Sequence, residues 1–405
     1  MPKKAAAAPK PPGRWKRCPG GYSAYLPEPL PPDLVWTPDL VRSLSDADHL
    51  IGRLAGEGGR LPNPHLLMRP FIRREAVLSS RIEGTQATLG ELLEAEAGAS
   101  VERSPDDLRE VANYVAALEY GIKRLDRLPL SLRLVRELHE RLTKGVRGER
   151  AAPGEFRRSQ NWIGAPGCTL AQASYVPPPP TELMDRLGAW ERFLHERGTP
   201  PLVQAALAHY QFEAIHPFLD GNGRVGRLLI TLFLVERGIL PTPLLCLSAF
   251  FEATRRDYYD LLRAVSVRGE WEPWLVYFLN GVARQSEDAL SRAGRINGLL
   301  EAWRIDVGRL SPGPRGRRPA APGGRPTEIP SRLLDLVAAN PFITINKAAA
   351  QLKVAYTTAQ RGIEKLERLG IVRQANKTKR DRVYCAKAIF DILEEPARIS
   401  PASRT

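Results

Sequence analysis

Cysteine, histidine and long apolar runs are all scarce in this chain of 405 residues. Its four cysteines, Cys18, Cys168, Cys246 and Cys385, stand far apart without metal-ligand spacing. That argues against a zinc site and fits a reducing compartment, with the thiols in the core or on the surface. The longest apolar runs, such as Leu228 to Val235, are far too short for a membrane span, so no transmembrane helix is expected. The opening MPKKAAAAPKPPGRWKRCPG is basic but has no continuous apolar stretch, which argues against a secretory signal and makes the cytoplasm the expected location. Of the histidines, His49, His65, His139, His195 and His209 show no partner pattern and are assigned no chemistry. What is present, 43% hydrophobic and 26% charged residues, reads as a soluble globular chain long enough for two domains.

The net charge of +14 suggests nucleic acid until it is partitioned. Residues 1–17 hold 6 Lys and Arg with no acids, and residues 311–405 hold 18 against 8 acids. All of the excess therefore sits at the two ends, the middle being slightly acidic, and the middle needs another explanation.

Residues 1–33, rich in Pro, Ala, Lys and Gly, read as a disordered basic arm. Apolar residues then recur at three-to-four spacing through PDLVRSLSDADHLIGRLAGE, LLMRPFIRREAVLSSRIEG, DDLREVANYVAALEYGIKRLDRL and SLRLVRELHERLTKGV, which predicts helices. The stretch from Ala152 to Pro180 breaks that period and reads as a β-hairpin or long flap ended by four prolines. Helices resume at Thr181. The expected fold is mainly α: a helical domain with a β-hairpin flap over 34–310, a Pro/Gly-rich linker over 311–327, a small winged helix-turn-helix over 328–395 and a tail over 396–405.

HPFLDGNGRVGR, residues 216–227, is the densest cluster of chemistry. A calcium loop starting at Asp220 would place Arg224 at a ligand position, and a Walker loop would need Lys and Ser/Thr where Arg227 and Leu228 stand. A plain helical corner capped by Asp220 explains the glycines but leaves His216 and both arginines idle. A functional reading uses every position. Backbone N–H groups of Gly221, Asn222 and Gly223 at a helix N-terminus form an anion-binding concavity. Arg224 and Arg227 lie three apart and can face one polyphosphate. Asp220 offers a hard oxygen suited to Mg²⁺, and His216 can take a proton near neutral pH.

These residues resemble the Fic family motif HPFx[D/E]GNGRxxR at all nine fixed positions within twelve. The resemblance extends over most of 36–300, because GEFRRSQNWIG…YVPPPP is similar to that family's flap. It implies AMPylation, the transfer of AMP from ATP to a Tyr, Ser or Thr hydroxyl of a protein with release of pyrophosphate. It further implies that His216 is the general base and that Asp220 holds Mg²⁺. Gly221, Asn222 and Gly223 would cradle the phosphates, with the Asn222 side chain also used, and Arg224 and Arg227 would hold the triphosphate tail. Val225 and Gly226 fall within the same nucleotide-binding stretch, while Phe218 would point into the core. A kinase-like relative has lysine at the second glycine of GNG; here that residue is Gly223, which favours nucleotidyl transfer. Other relatives move different phosphate-containing groups.

SSRIEGTQ, residues 79–86, places Ser79 and Glu83 four apart with Gly84 positioned to end a helix. It resembles the family's inhibitory motif [S/T]xxxE[G/N], which implies that Glu83 opposes Arg227 and keeps ATP in an unproductive pose, or serves removal of AMP. Gln160–Ala165 and Ala173–Val176 would pair with an extended target segment, although Trp162 and Tyr175 also suit a hairpin that only covers core. Tyr258 and Tyr259 resemble the family's adenine-side helix, which implies a nucleotide contact from Tyr258; core packing is the competing reading.

At the C-terminal end, Tyr356–Leu369 reads as a recognition helix offering Thr357, Thr358, Gln360 and Arg361, with Lys377, Lys379, Arg380 and Arg382 forming a basic wing. DNA binding and protein docking both fit this unit. The expected partners are a target protein, the chain itself included, DNA, and a second copy in a homodimer, with no membrane. The rival to an enzyme is a DNA-binding regulator whose Fic domain senses nucleotide.

Overall fold

The fold is given by a computed structural model that describes residues 12–60, 64–101, 105–146, 152–165, 167–309, 329–376, 378, 380–397 and 399. It is mainly helical, as the periodicity predicts. It opens, however, on a hairpin in which β1 (Gly13–Arg17) pairs antiparallel with β2 (Ser23–Pro27), Trp15 opposite Tyr25. This corrects the disordered arm expected over 1–33, whose first eleven residues lie outside the described ones. Ala24, Tyr25 and Leu26 are fully buried, a few kcal/mol of apolar burial that the polar composition around them conceals.

Five helices follow: α1 (Pro38–Arg60), α2 (Pro64–Ile82), α3 (Leu89–Glu96), α4 (Pro105–Leu125) and α5 (Leu132–Thr143). Helix α3 starts on a reciprocal capping box between Thr88 and Glu91, and α5 on the Ser131 hydroxyl, each satisfying N–H groups that no helical carbonyl reaches. The stretch that breaks the helical period is irregular, with a 3₁₀ turn at Leu170–Gln172 and one bridge, Ile163 to Tyr175. Beyond it run α6 (Pro180–His195), α7 (Pro201–Ile215), α8 (Asn222–Glu236), α9 (Leu247–Ala253), α10 (Arg255–Arg268) and α11 (Trp271–Arg309). The C-terminal elements are α12 (Ile329–Ala339), β3 (Phe342–Thr344), α13 (Ile345–Leu352), α14 (Tyr356–Arg368), β4 (Arg373–Gln374), β5 (Val383–Cys385) and α15 (Lys387–Glu394). Strand β5 is central, antiparallel to β3 and β4.

Two compact units divide these elements, and they cut across the single block expected for 34–310. The expected linker over 311–327 lies outside the described residues. Unit 1 comprises 1–52, 113–241 and 250–284. Its centre is α7, buried on all sides and mostly apolar, with Gln204, His209 and Gln211 among its buried residues. Helices α6 and α8 and strand β2 pack around it. The indole N–H groups of Trp190 and Trp274 donate to the Ala208 and Ala206 carbonyls, so these two large side chains have their polar atoms satisfied.

Unit 2 comprises 53–112, 242–249 and 285–405. Here α12 and α15 pack on α2, and α3 packs on α2 and β3. A buried ionic cluster joins them. Arg292 donates to the Asp288 carboxylate at 2.7 Å, and Arg74 lies 3.6 Å from the same carboxylate. The Arg292 guanidinium also donates to the carbonyls of Ile392, Glu395 and Pro396 at the end of α15, and Arg74 to that of Glu395. Among the described residues no helix is long and apolar enough to cross a membrane.

Candidate active site

Residues 216–227 join two buried helices of unit 1. Helix α7 ends at Ile215, where His216 turns left-handed (φ 50°, ψ 62°) and donates its N–H to the Phe212 carbonyl. Helix α8 is capped by Gly221, also left-handed at φ 77°. A side chain there would strain the backbone and press on Leu142. Asp220 is thus not the helix cap; its Oδ1 accepts the Gly221 N–H at 2.6 Å and steadies the turn.

Between the two turns the loop is pinned from within. Phe218 is fully buried, as expected, and its ring stacks on His139 at 3.7 Å with an interplanar angle of 2°. Asn222 Oδ1 accepts the Phe218 N–H at 2.8 Å while its Nδ2 donates to the Phe218 carbonyl at 2.9 Å. The side chain expected to help hold phosphates is also the strut that closes the loop.

The His216 imidazole is half-buried, with Nδ1 3.3 Å from the Glu213 carbonyl oxygen. A carbonyl only accepts, so Nδ1 carries the proton and Nε2 presents a lone pair. That is the tautomer a general base requires.

The N–H groups of Asn222, Gly223 and Arg224 lie in the first turn of α8, where no intrahelical acceptor exists. The first helical bond runs from Val225 N–H to the Gly221 carbonyl at 3.0 Å. Val225, with that N–H committed and its side chain fully buried, therefore takes no part in the turn that can receive an anion. Gly226 is also a packing residue: a Cβ there would sit 2.5 Å from the Glu213 carboxylate and 3.2 Å from Phe212, so its absence lets α8 approach α7. Arg224 and Arg227 are only 5% and 2% exposed. The Asp220 carboxylate is half exposed, 3.7 Å from Arg224. Two buried cations at the positive end of a helix work against its dipole, by roughly 0.3–1 kcal/mol each. The arrangement suits an incoming anion better than it suits the helix.

Three supporting residues carry no signal in the sequence. His139 is fully buried; the Gly154 N–H donates to its Nδ1 at 2.9 Å, which makes Nε2 the donor to the Asp220 carbonyl at 3.0 Å. Burial lowers its pKa to about 4, so the ring is neutral at physiological pH. Arg157 donates to the carbonyl of His216 at 2.9 Å, and Asn161 to that of Phe218 at 2.8 Å. Both belong to the stretch read as a flap, which the N-terminal hairpin supports through the Tyr25 N–H on the Val176 carbonyl at 2.8 Å. Their partners are backbone atoms far away in sequence, so only tertiary structure reveals them.

A loop of this construction has a close counterpart among known families. The model described as Fic/DOC family N-terminal matches residues 41–123, and that described as Fic/DOC family matches 129–234, the whole loop included. The chain carries both Fic/DOC domains. Among curated Fic relatives, the protein adenylyltransferase Fic of Drosophila virilis is 32% identical over 177 residues, and that of Drosophila ananassae 30% over the same length. Each alignment covers 43% of this chain, and 33% and 32% of the respective relative, so the chain spans about a third of their length. A Fic family protein from Desulfovibrio desulfuricans shares the fold at TM-score 0.57 and 21% identity, over 88% of this chain and 98% of that one. Fic-1 from C. elegans does so at 0.50 and 21%, over 63% and 73%.

The remaining Fic expectations fall elsewhere. Tyr258 is fully buried; its hydroxyl lies 2.8 Å from His209 Nε2 and its ring stacks on Phe251 at 4.6 Å. It is a core residue rather than a nucleotide ligand, whereas Tyr259 beside it is exposed. Ser79 is fully buried on α2, and Glu83 is exposed in the turn after it, closed by Gly84 at φ 97°. Both belong to unit 2, and the 216–227 loop to unit 1. On the flap, Trp162 and Ile163 are exposed. In the C-terminal region Tyr356, Thr357 and Arg361 are exposed on α14, Thr358 and Gln360 half-buried, Arg380 exposed and Arg382 half-buried, while Lys377 and Lys379 lie outside the described residues.

Proposed function

We propose that this chain is a protein adenylyltransferase that moves AMP from ATP to a Tyr, Ser or Thr hydroxyl of a target protein. The observation that supports the reading is the His216 geometry: Nδ1 faces the Glu213 carbonyl, which makes Nε2 the basic nitrogen of the ring, one short turn before the N-terminus of α8. The target hydroxyl loses its proton to Nε2 as its oxygen bonds to the α-phosphorus. The bond from that phosphorus to the bridging oxygen breaks, and pyrophosphate leaves. The first-turn N–H groups of α8, with Arg224 and Arg227, take the charge of the leaving phosphates, so positioning and electrostatics supply most of the rate.

Asp220 fits a magnesium ion, because such ions use one or two carboxylates plus substrate phosphates. Its carboxylate is half exposed beside the anion-binding turn. Bound there, the ion would neutralise phosphate charge. Ser79 and Glu83 are assigned the brake, Glu83 opposing Arg227 for the place of the terminal phosphate. The exposed Trp162 and Ile163 support a flap that receives an extended target segment.

Incubation with ATP labelled at the α-phosphate tests the assignment. Label should reach protein with the wild type, more strongly with Glu83→Gly, and not at all with His216→Ala. Equal labelling by His216→Ala and wild type would end the proposal. A second reading, a DNA-binding winged helix at the C-terminal end, draws on the exposed Tyr356, Thr357 and Arg361 of α14. DNA affinity that falls steeply with salt supports it; weak, salt-insensitive binding opposes it.

A further inference from the structure

The flap carries a cation buried beside the base. Arg157 is only 3% exposed, and its guanidinium is spent on backbone carbonyls: Nε to His216 at 2.9 Å, Nη2 to Pro178 and to Ile215, and Nη1 to Ser159 at 3.4 Å. Its own N–H donates to the Pro217 carbonyl at 2.9 Å. Three consecutive residues, 215 to 217, are thereby gripped by one flap residue. Asn161 adds a second grip, its Nδ2 reaching the Phe218 carbonyl at 2.8 Å and the His216 carbonyl at 3.3 Å.

The gripped backbone is the one that needs help. His216 sits in the left-handed region, which costs a side-chain-bearing residue on the order of 1 kcal/mol. Rotation out of it would swing the imidazole away from the Glu213 carbonyl and lose the tautomer that exposes Nε2. Hydrogen bonds donated by a charged group are roughly twice as strong as neutral ones. A planar fork can also hold several carbonyls in fixed directions, which a lysine ammonium cannot.

We propose that Arg157, seconded by Asn161, is the positioning residue of His216: it holds the base left-handed and ties its orientation to the flap. Transfer then depends on the flap in two ways, as the place where a target segment docks and as the clamp that aims the base at it. The inference rests on the adenylyl-transfer reading for its kinetics but not for its geometry.

The test uses full-length protein with ATP labelled at the α-phosphate, and ¹⁵N-histidine spectra of the imidazoles. Misplacement of a reacting group by about 1 Å costs on the order of 100-fold in rate. Arg157→Lys should therefore lower kcat by roughly that factor, and the half-buried Asn161→Ala by about tenfold, with KM for ATP changing less than about threefold. In both, His216 should lose its preference for the Nδ1–H form. Melting curves identify any variant that fails to fold; if Arg157→Lys does, Asn161→Ala decides. Folded variants with wild-type kcat and an unchanged His216 spectrum overturn the proposal, as does a rise in KM at constant kcat. Should the wild type transfer no AMP, the adenylyl reading falls, and the imidazole spectra alone judge the clamp.

Discussion

Each unit of this molecule buries a pair of arginines at a helix end, and the ends are opposite. In unit 2, Arg74 and Arg292 meet the C-terminal carbonyls of α15 and share the Asp288 carboxylate. Charge, dipole and hydrogen bonding all agree there. In unit 1, Arg224 and Arg227 are buried in the first two turns of α8, with the Asp220 carboxylate 3.7 Å from Arg224. Cations placed with the dipole stabilise a fold; cations placed against it hold potential for an anion that comes and goes.

The contrast is open to direct attack. Its largest expected effect comes from Arg292→Met, which breaks a buried pair at the supportive end and should cost about 3–5 kcal/mol in urea unfolding. A loss below about 1 kcal/mol would remove the distinction. Arg227→Met should behave in the opposite way, costing less stability than Arg292→Met while lowering transfer of labelled AMP by roughly 100- to 1,000-fold, the range for removing one preorganised charge-stabilising group. Acid should separate the units next. His139 has its pKa lowered by burial from an ordinary value near 6.5 to about 4. The unfolded chain therefore binds the extra proton first, and stability present above about pH 6.5 is lost as pH falls toward 4. Between pH 7.5 and 5 the loss amounts to about 2 kcal/mol. His139→Gln should flatten that slope in unfolding measured at the two pH values. The smallest effect is Gly221→Ala, about 1–2 kcal/mol for a left-handed alanine, read as a shift in melting temperature.

Much of this was legible beforehand, but unevenly. The helices follow from periodicity, and the 216–227 string names its own chemistry because the needed groups are close in sequence. The packing roles of Val225 and Gly226 were not legible, since a glycine serving a phosphate and one admitting a neighbouring helix look alike. Tyr258 failed for a related reason: an aromatic on a helix shows its spacing but not the histidine waiting opposite, here His209. The hairpin at 13–27 was hidden by its composition, because four buried residues in a row carry no alternating pattern. Arg157, Asn161 and His139 act on main-chain atoms up to 81 residues away, and backbone acceptors have no sequence signature.

The left-handed turn at His216 has a practical edge. Glycine is the residue that backbone prefers, so His216→Gly would relieve strain while deleting the imidazole. Any optimisation of this protein that selects for heat resistance alone will press on that codon, as on those of the left-handed Ala152, Lys353 and Asp381, and at His216 will harvest sturdier molecules with nothing left to take the proton.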